Sequence, residues 1–239
     1  MPLSPQQVAT YHRDGVLPLG RVIEPVLVEE ARTHLEALRA KNLMDNPSAG
    51  TARRTFRMLD TRKRDPWFQT IFTHPAVLDA AEAVLGPDIQ LFQDNIFYKP
   101  ARDGDATAWH QDNIWWQANP PNMLTIWIAL DDVDASNGAV QYIPGSQTNL
   151  IEPETPVQDV NGLQYKALSP AQIKQIEQQQ SVTFVVPAGH AVMHHCQTLH
   201  GAPPNNSDRL RRGYTVHLAQ TGVVKLDPST NPVLRGRPA

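Results

Sequence analysis

The sequence predicts a mainly β fold, an antiparallel sandwich or barrel with flanking α-helices, in one domain over residues 1–239. Two observations carry this prediction. The first ninety residues place apolar side chains at helical spacing between helix-capping signals. From Ile89 onward the chain changes to short β-rich runs separated by turn residues, a pattern typical of antiparallel sheets. The helices are therefore expected to cover one face of the β structure.

Three helices are predicted in the N-terminal part, about residues 1–88, because apolar stripes there lie between start and stop signals. The helices are Gln6 to Arg13, after the cap Ser4-Pro5; a segment opened by Glu24-Pro25 with the stripe Leu27, Ala31, Leu35 and Leu38; and about Pro75 to Leu85, before Gly86-Pro87.

The β-rich core is predicted over about residues 89–220, and residues 221–239 are left as a C-terminal tail. Residues 150–180 interrupt the core with a polar, proline-containing segment and a short helix from Ser169-Pro170. A long loop in a compact domain is often functional, so a lid over a pocket and a surface insertion both remain open. The strands are expected in IQLFQDNIFYKP, TAWHQD, LTIWIALDDV, AVQYIPGS, SVTFVVPAG, AVMHHCQTLHGA and RRGYTVHLAQ.

Composition argues against several classes of protein. The chain has 21 basic and 24 acidic residues and no block of like charge, so neither nucleic acid nor a membrane surface is an expected partner. Cys196 is the single cysteine, which excludes an internal disulfide. No apolar segment approaches about 20 residues and the amino terminus does not resemble a signal peptide, which predicts a soluble, cytoplasmic protein. The oligomeric state is not predicted.

The stretch AWHQDN contains a candidate metal motif, His110-Gln111-Asp112. Nine histidines and sixteen aspartates in this chain predict about 0.6 His-X-Asp tripeptides by chance, so the motif alone is weak. On a strand, however, residues 110 and 112 would point to the same face and bring imidazole and carboxylate together. Two histidines and one carboxylate would suit a non-haem iron site. The third ligand is expected among His190, His194, His195, His200 and His217, of which His200 is favoured because it ends a β-rich run before Gly201.

Three longer segments together carry a family resemblance. They are FYKPARDGDATAWHQDNIWW, LTIWIALDDVDASNGAVQYIPGSQ and PAGHAVMHHCQTLHGAPPNNSDRLRRGYTVHL. Over about residues 5–220 the chain resembles the phytanoyl-CoA dioxygenase family of iron(II)- and 2-oxoglutarate-dependent oxygenases. The resemblance implies a double-stranded β-helix, or jelly roll, with iron(II) held by His110, Asp112 and His200. It also implies 2-oxoglutarate and dioxygen as cosubstrates.

The resemblance further implies which residues bind the cosubstrate. Arg211 would bind the distal carboxylate of 2-oxoglutarate, since a guanidinium can grip a carboxylate with two hydrogen bonds. Arg209 and Arg212 are its competitors. Ala202 stands where many relatives have a serine whose hydroxyl contacts the cosubstrate, which puts one hydrogen bond in doubt. Further 2-oxoglutarate contacts are expected from Asn95, Lys99 and Trp127.

The substrate side is expected to involve Trp115, Trp116, Gln93 and Arg57, although tryptophans also serve as ordinary packing. Retention of Asp112 argues for oxygenation, because related iron halogenases replace the acid by a small residue to admit chloride. The predicted reaction is hydroxylation, or a related oxidation, of a small molecule with release of succinate and CO2. Three alternatives remain: a cupin-like metal enzyme that does not use 2-oxoglutarate, a catalytically silent jelly-roll binding protein, and a zinc hydrolase.

Overall fold

A computed structural model describes residues 2–41, 43–44, 54–158, 164–223 and 231–236 of the chain. Most of its helices lie in the N-terminal part, ahead of the long strands. The α-helices are α1 (Pro5–Asp14), α2 (Pro25–Ala40), α3 (Thr61–Arg64), α4 (Gln69–Phe72), α5 (Pro75–Leu85), α6 (Asn113–Trp116) and α7 (Pro170–Glu177). Short 3-10 turns occupy Pro66–Phe68, Ala135–Asn137 and Ser146–Thr148.

The three predicted N-terminal helices are confirmed as α1, α2 and α5, and their ends follow from local chemistry. Ser4 and Gln7 form a reciprocal capping box at the start of α1, which satisfies backbone donors that the first turn leaves free. Gly15 ends α1 with a left-handed φ of 69°, a conformation that glycine adopts without steric cost. In α2 the buried stripe begins at Val28 rather than at the predicted Leu27, which is only partly buried.

The strands form two antiparallel sheets and a separate hairpin. The larger sheet has the order β1-β10-β5-β12-β3-β13, with β2 also paired to β3, and the smaller has the order β4-β11-β6-β9. The hairpin pairs β7 with β8. The strands are β1 (Val16–Arg21), β2 (Phe56–Leu59), β3 (Ile89–Lys99), β4 (Thr107–His110), β5 (Met123–Ala129), β6 (Gln141–Tyr142), β7 (Thr155–Gln158), β8 (Gln164–Ala167), β9 (Val182–Thr183), β10 (His190–His195), β11 (His200–Ala202), β12 (Arg211–Gln220) and β13 (Val233–Arg235).

Two strands lie where the sequence predicts only helical structure. β1 forms an edge of the larger sheet against β10, and β2 pairs with the C-terminal half of β3. β1 is six residues long and contains Pro18, so its own pattern carries little strand signal. Both strands depend on hydrogen bonds from partners that lie far along the chain. β13 likewise adds a strand within the predicted tail.

The larger sheet separates two chemically different environments. Its outer face packs against the helices: Ile126 and Val216 belong to the same buried cluster as Leu35 of α2 and Val77 of α5. Its inner face lies toward the smaller sheet, because Trp127 of β5 shares a buried cluster with side chains of β6 and β9. This arrangement is the predicted antiparallel sandwich with a helical layer on one side.

Residues 150–180 contain the β7–β8 hairpin and α7, which begins at the predicted cap Ser169. Ile176 of α7 packs with Ile143 and Leu199 of the sandwich, so the described part of this segment is anchored to the core. Residues 159–163 lie outside the described part, and a lid function stays a prediction. None of the described helices has the length and apolar character required to span a membrane.

Candidate active site

The candidate metal ligands meet at the end of the smaller sheet. β4 and β11 pair in a register that sets His110 directly opposite His200. The Nε2 atoms of His110 and His200 lie 3.7 and 3.8 Å from Oδ1 of Asp112. One ligand atom from each of the three side chains falls within 4.8 Å of the other two. The three residues therefore have the spacing that a single metal ion requires.

Asp112 reaches this position differently from the predicted way. β4 ends at His110, and Asp112 has a helical conformation, φ −58° and ψ −35°, immediately before α6. Strand alternation therefore does not bring the two side chains together. The turn from β4 into α6 folds the carboxylate back beneath the imidazole.

Backbone carbonyls orient both imidazoles. Nδ1 of His110 lies 2.7 Å from the carbonyl oxygen of Ala108, and Nδ1 of His200 lies 2.9 Å from that of Thr198. A carbonyl can only accept, so each Nδ1 carries the proton and each Nε2 keeps its lone pair toward Asp112. Burial lowers the pKa of both histidines to about 4, which leaves them neutral at pH 7. Neutral imidazole is the form that binds a metal.

The carboxylate of Asp112 is the anionic member of the group. Burial alone would raise its pKa, but the neighbouring His200 and His194 lower it below the usual range. Asp112 is therefore ionised. Two neutral imidazoles and one carboxylate on one side of a site, with no fourth protein ligand grouped with them among the described residues, fit non-haem iron.

A directional hydrogen-bond relay leads to the carboxylate from the inner face of the larger sheet. The backbone N–H of Asp60 donates to Oδ1 of Asn95, at 3.3 Å, so Nδ2 of Asn95 is the donor to Nε2 of His217, at 2.8 Å. His217 then carries its proton on Nδ1 and donates to the hydroxyl of Thr125, at 2.8 Å. Thr125 donates to Oδ2 of Asp112, at 2.9 Å. The relay fixes the orientation of the Asp112 carboxylate.

A buried guanidinium lies on the same face of the larger sheet. Arg211 is 3% exposed, and its Nε has no hydrogen-bond partner among the described residues. Its guanidinium carbon stands 4.7 Å over the ring of Trp127. Burial lowers the pKa of Arg211 to about 10, so it remains charged at neutral pH. An unpaired buried charge is costly, and a carboxylate ligand would relieve that cost.

The competing arginines are already paired. Arg209 contacts Asp134 at 2.6 Å, and Arg212 contacts Asp131 at 2.7 Å. Neighbouring Arg211 meets no such carboxylate in the part of the chain that the structure describes. This contrast favours Arg211 over the other two as the residue that receives an anionic ligand.

Lys99 lies beside Arg211, across the β3–β12 pair. Its side chain is fully buried, and its ammonium group donates to the carbonyl of Pro203 at 2.9 Å. Burial, and then the charge of Arg211, lowers the pKa of Lys99 to about 6. At neutral pH the charged member of this pair is therefore Arg211, while Lys99 is mostly a neutral amine.

The remaining predicted residues lie at different depths. Trp115 is 51% exposed and its ring centroid is 5.2 Å from that of His110. Trp116 packs against His217 at 4.8 Å between ring centroids. Gln93 accepts from Nδ2 of Asn95 at 3.4 Å. Arg57, on β2, stands opposite Phe97 of β3, and its Nε is buried without a partner among the described residues.

Sequence reasoning missed part of the site. It considers His194 only as a less favoured candidate for the third ligand, yet Nε2 of His194 lies 3.4 Å from Oδ2 of Asp112. It also assigns no role to Thr125 in the relay. A sequence signal was available for Thr125, which is the polar residue of the otherwise apolar strand β5; the structure sets His194 of β10 opposite it.

Comparison with known proteins gives consistent matches. The family model described as "Phytanoyl-CoA dioxygenase (PhyH)" matches residues 11–213. An ectoine dioxygenase from Nocardia farcinica is 26% identical over 215 residues, which cover 84% of this chain and 72% of that protein. Two other relatives are matched over about half of their own length, 53% and 47%.

Solved structures agree. The non-heme alpha ketoglutarate dependent carbocyclase SnoK from nogalamycin biosynthesis is 25% identical with a TM-score of 0.78, covering 92% of this chain and 85% of its own. The epimerase SnoN, in complex with Fe3+, alpha ketoglutarate and nogalamycin RO, is 25% identical with a TM-score of 0.75, covering 90% and 83%. These similarities confirm the predicted fold class, a double-stranded β-helix with flanking helices.

Proposed function

The chain belongs to the phytanoyl-CoA dioxygenase family of iron(II)- and 2-oxoglutarate-dependent oxygenases, and on that premise we propose how its residues divide the reaction. Membership confirms the predicted enzyme class and its requirement for iron, 2-oxoglutarate and dioxygen. We propose that His110, Asp112 and His200 hold the metal and that Arg211 binds the distal carboxylate of 2-oxoglutarate. The reaction is hydroxylation of a small molecule with release of succinate and CO2.

The observation that carries this proposal is the unpaired guanidinium of Arg211 beside a complete set of metal ligands. A metal enzyme without 2-oxoglutarate has no use for a buried cation that lacks a partner, because its desolvation would go uncompensated. A dicarboxylate that reaches from the metal to Arg211 would satisfy both groups. The ring of Trp127 lies against the guanidinium, at 4.7 Å, and holds it in place.

The protein residues orient and enclose the chemistry. Bound iron and 2-oxoglutarate supply the oxidising power when dioxygen is present. His110 and His200 present Nε2 lone pairs because their Nδ1 protons are held by carbonyls. The relay through Thr125 keeps one oxygen of Asp112 occupied, at 2.9 Å, and leaves the other to the metal. Asn95 therefore acts through this relay rather than as the direct 2-oxoglutarate contact expected from the resemblance.

The substrate is proposed to enter beside α6. Trp115 is exposed next to His110, so its ring can cover a bound small molecule. Trp116 and Gln93 flank the His217 side of the same opening, and the unpartnered Nε of Arg57 offers a donor farther along β2. A role of residues 150–180 in closing over the substrate belongs to the same proposal.

Anaerobic titration of the protein with Fe(II) and then 2-oxoglutarate tests the assignment. We expect a visible charge-transfer band on addition of 2-oxoglutarate, followed by succinate formation in air. His110→Ala should lose the band, whereas the control His190→Ala, on β10 of the larger sheet and outside the ligand group, should keep it. A wild-type protein that binds Fe(II) but gives neither band nor succinate would contradict the proposal.

A further inference from the structure

The hydroxyl of Tyr142 is a second buried donor that lacks an acceptor. Tyr142 is 1% exposed, and its Oη is buried with no hydrogen-bond partner among the described residues. A tyrosine buried at this depth normally finds a partner for its hydroxyl, because burial without a partner costs free energy. A phenylalanine would pack equally well at this position if the hydroxyl had no ligand to bind.

Tyr142 lies beside the metal ligands. It ends β6, and the β6–β11 register sets it directly opposite His200. Its ring centroid is 6.1 Å from that of His200 and 5.3 Å from that of His194. The phenol therefore lines the site on the side of the smaller sheet.

Tyr142 also reaches the surroundings of Arg211. It belongs to the same buried cluster as Trp127, the ring over which the guanidinium stands. The charge of Arg211 lowers the pKa of Tyr142, although burial raises that pKa by more. The phenol is thus protonated at neutral pH and lies within the electrostatic reach of the guanidinium. Both are hydrogen-bond donors.

The neighbouring strand lacks a hydroxyl where one is expected. Ala202 ends β11, two residues after His200, and its methyl group offers no donor to a carboxylate. Arg211 would then be left as the main neutralising group for the distal carboxylate. A carboxylate has room for about four hydrogen bonds, so a second strong donor beside the guanidinium would improve its solvation.

We propose that the Tyr142 hydroxyl donates a hydrogen bond to the distal carboxylate of 2-oxoglutarate beside Arg211 and replaces the donor that Ala202 lacks. This proposal rests on the proposed function, since it concerns the same cosubstrate. It names a binding residue outside the metal ligands and the arginine. It also explains why a tyrosine hydroxyl is buried there without a protein partner.

The test compares Tyr142→Phe with a matched control, Tyr11→Phe. Tyr11 of α1 also buries an unpartnered hydroxyl, in the helical layer on the outer face of the larger sheet. The dissociation constant of 2-oxoglutarate is measured anaerobically, at saturating Fe(II), from the charge-transfer band. Loss of one hydrogen bond to a charged group predicts weakening of roughly 10-fold for Tyr142→Phe. Tyr11→Phe should stay within about twofold of wild type, because it only removes a remote hydroxyl.

Two further experiments distinguish loss of a hydrogen bond to the distal carboxylate from a general disturbance of packing around Tyr142. The probe 2-oxobutyrate keeps the metal-binding end of 2-oxoglutarate but has no distal carboxylate, so Tyr142→Phe should leave its affinity unchanged. Adding Ala202→Ser to Tyr142→Phe should restore part of the lost 2-oxoglutarate affinity. Equal weakening of both ligands, or unchanged 2-oxoglutarate affinity in a protein whose wild type binds it, would overturn the role of Tyr142 alone. A wild type that gives no band would overturn the proposed function as well.

Discussion

The two faces of the larger sheet use the same strands for opposite purposes. On β12 the residues Tyr214, Val216 and Leu218 belong to the cluster under the helices, whereas His217 and Arg211 point toward the smaller sheet. The outer face is mainly apolar, and its buried carboxylate, Asp94, is paired with Arg62 at 2.6 Å, so that this face stabilises the protein. The inner face holds buried charges and orphaned donors that cost stability until a ligand arrives. Because successive residues of a strand point to opposite faces, residues of the candidate site and residues of the core are neighbours in the sequence of β12.

Arg211→Met should have the largest effect: it should weaken cosubstrate binding and stabilise the ligand-free protein. Removing the guanidinium deletes two charge-assisted hydrogen bonds, so the 2-oxoglutarate dissociation constant should rise at least about 100-fold. The ligand-free protein should melt at a higher temperature, because methionine needs no ion partner. Calorimetry and anaerobic titration measure the two effects. Arg209→Met, which breaks only an exposed pair with Asp134, is the control and should leave cosubstrate affinity unchanged.

Ile126→Ala should lower the stability of the protein and leave cosubstrate affinity nearly unchanged. Ile126 is fully buried on the outer face, and truncation of such a residue costs about 2–4 kcal/mol of unfolding free energy. Urea denaturation measures this loss. Cosubstrate affinity should remain within about twofold of wild type, since the side chain points away from the site. Parallel loss of stability and of affinity would show that the two faces are not energetically separate.

Thr125→Val removes a hydroxyl from the inner face and keeps the size of the side chain nearly constant. It removes the hydroxyl that donates to Asp112 and leaves Nδ1 of His217 without its acceptor. Loss of such a supporting contact predicts about 10-fold weaker metal binding. Co(II) titration without cosubstrate measures it. Thr55→Val is the control, because that buried hydroxyl donates to the carbonyl of Asp105, outside the relay; equal weakening in both variants would argue against the relay.

Lys99→Met should give the smallest effect, a pH-dependent gain in stability. The pKa of Lys99 falls from 10.5 to about 6 in the fold, so the unfolded chain binds the extra proton between these values. Burial of Lys99 therefore costs more stability as the pH falls from about 10.5 to about 6. Lys99→Met should raise the melting temperature more at pH 6.5 than at pH 9, and the difference between the two gains should be at least about 2 °C. An equal gain at both pH values would mean that Lys99 keeps its ordinary pKa.

The helices and the strand runs of the core could be predicted because their signals are local. Caps, proline positions and apolar spacing indicate α1, α2 and α5, and alternation indicates β3, β5 and β12. β1 and β2 could not be predicted, because they are short and depend on hydrogen bonds from distant partners. The His-X-Asp motif predicted that His110 and Asp112 come together, as they do, but by strand alternation; a turn brings Asp112 to His110 instead.

The sequence by itself determined which residue types were available: a His-X-Asp pair, later histidines, and the arginines of the run RLRRG. Only the tertiary structure decided which of them lack partners. Arg209 and Arg212 meet Asp134 and Asp131, while Arg211, between them, is buried over Trp127 with its Nε unpartnered. Charge pairing depends on which face of a sheet a side chain joins and on what packs against that face, and distant strands supply both.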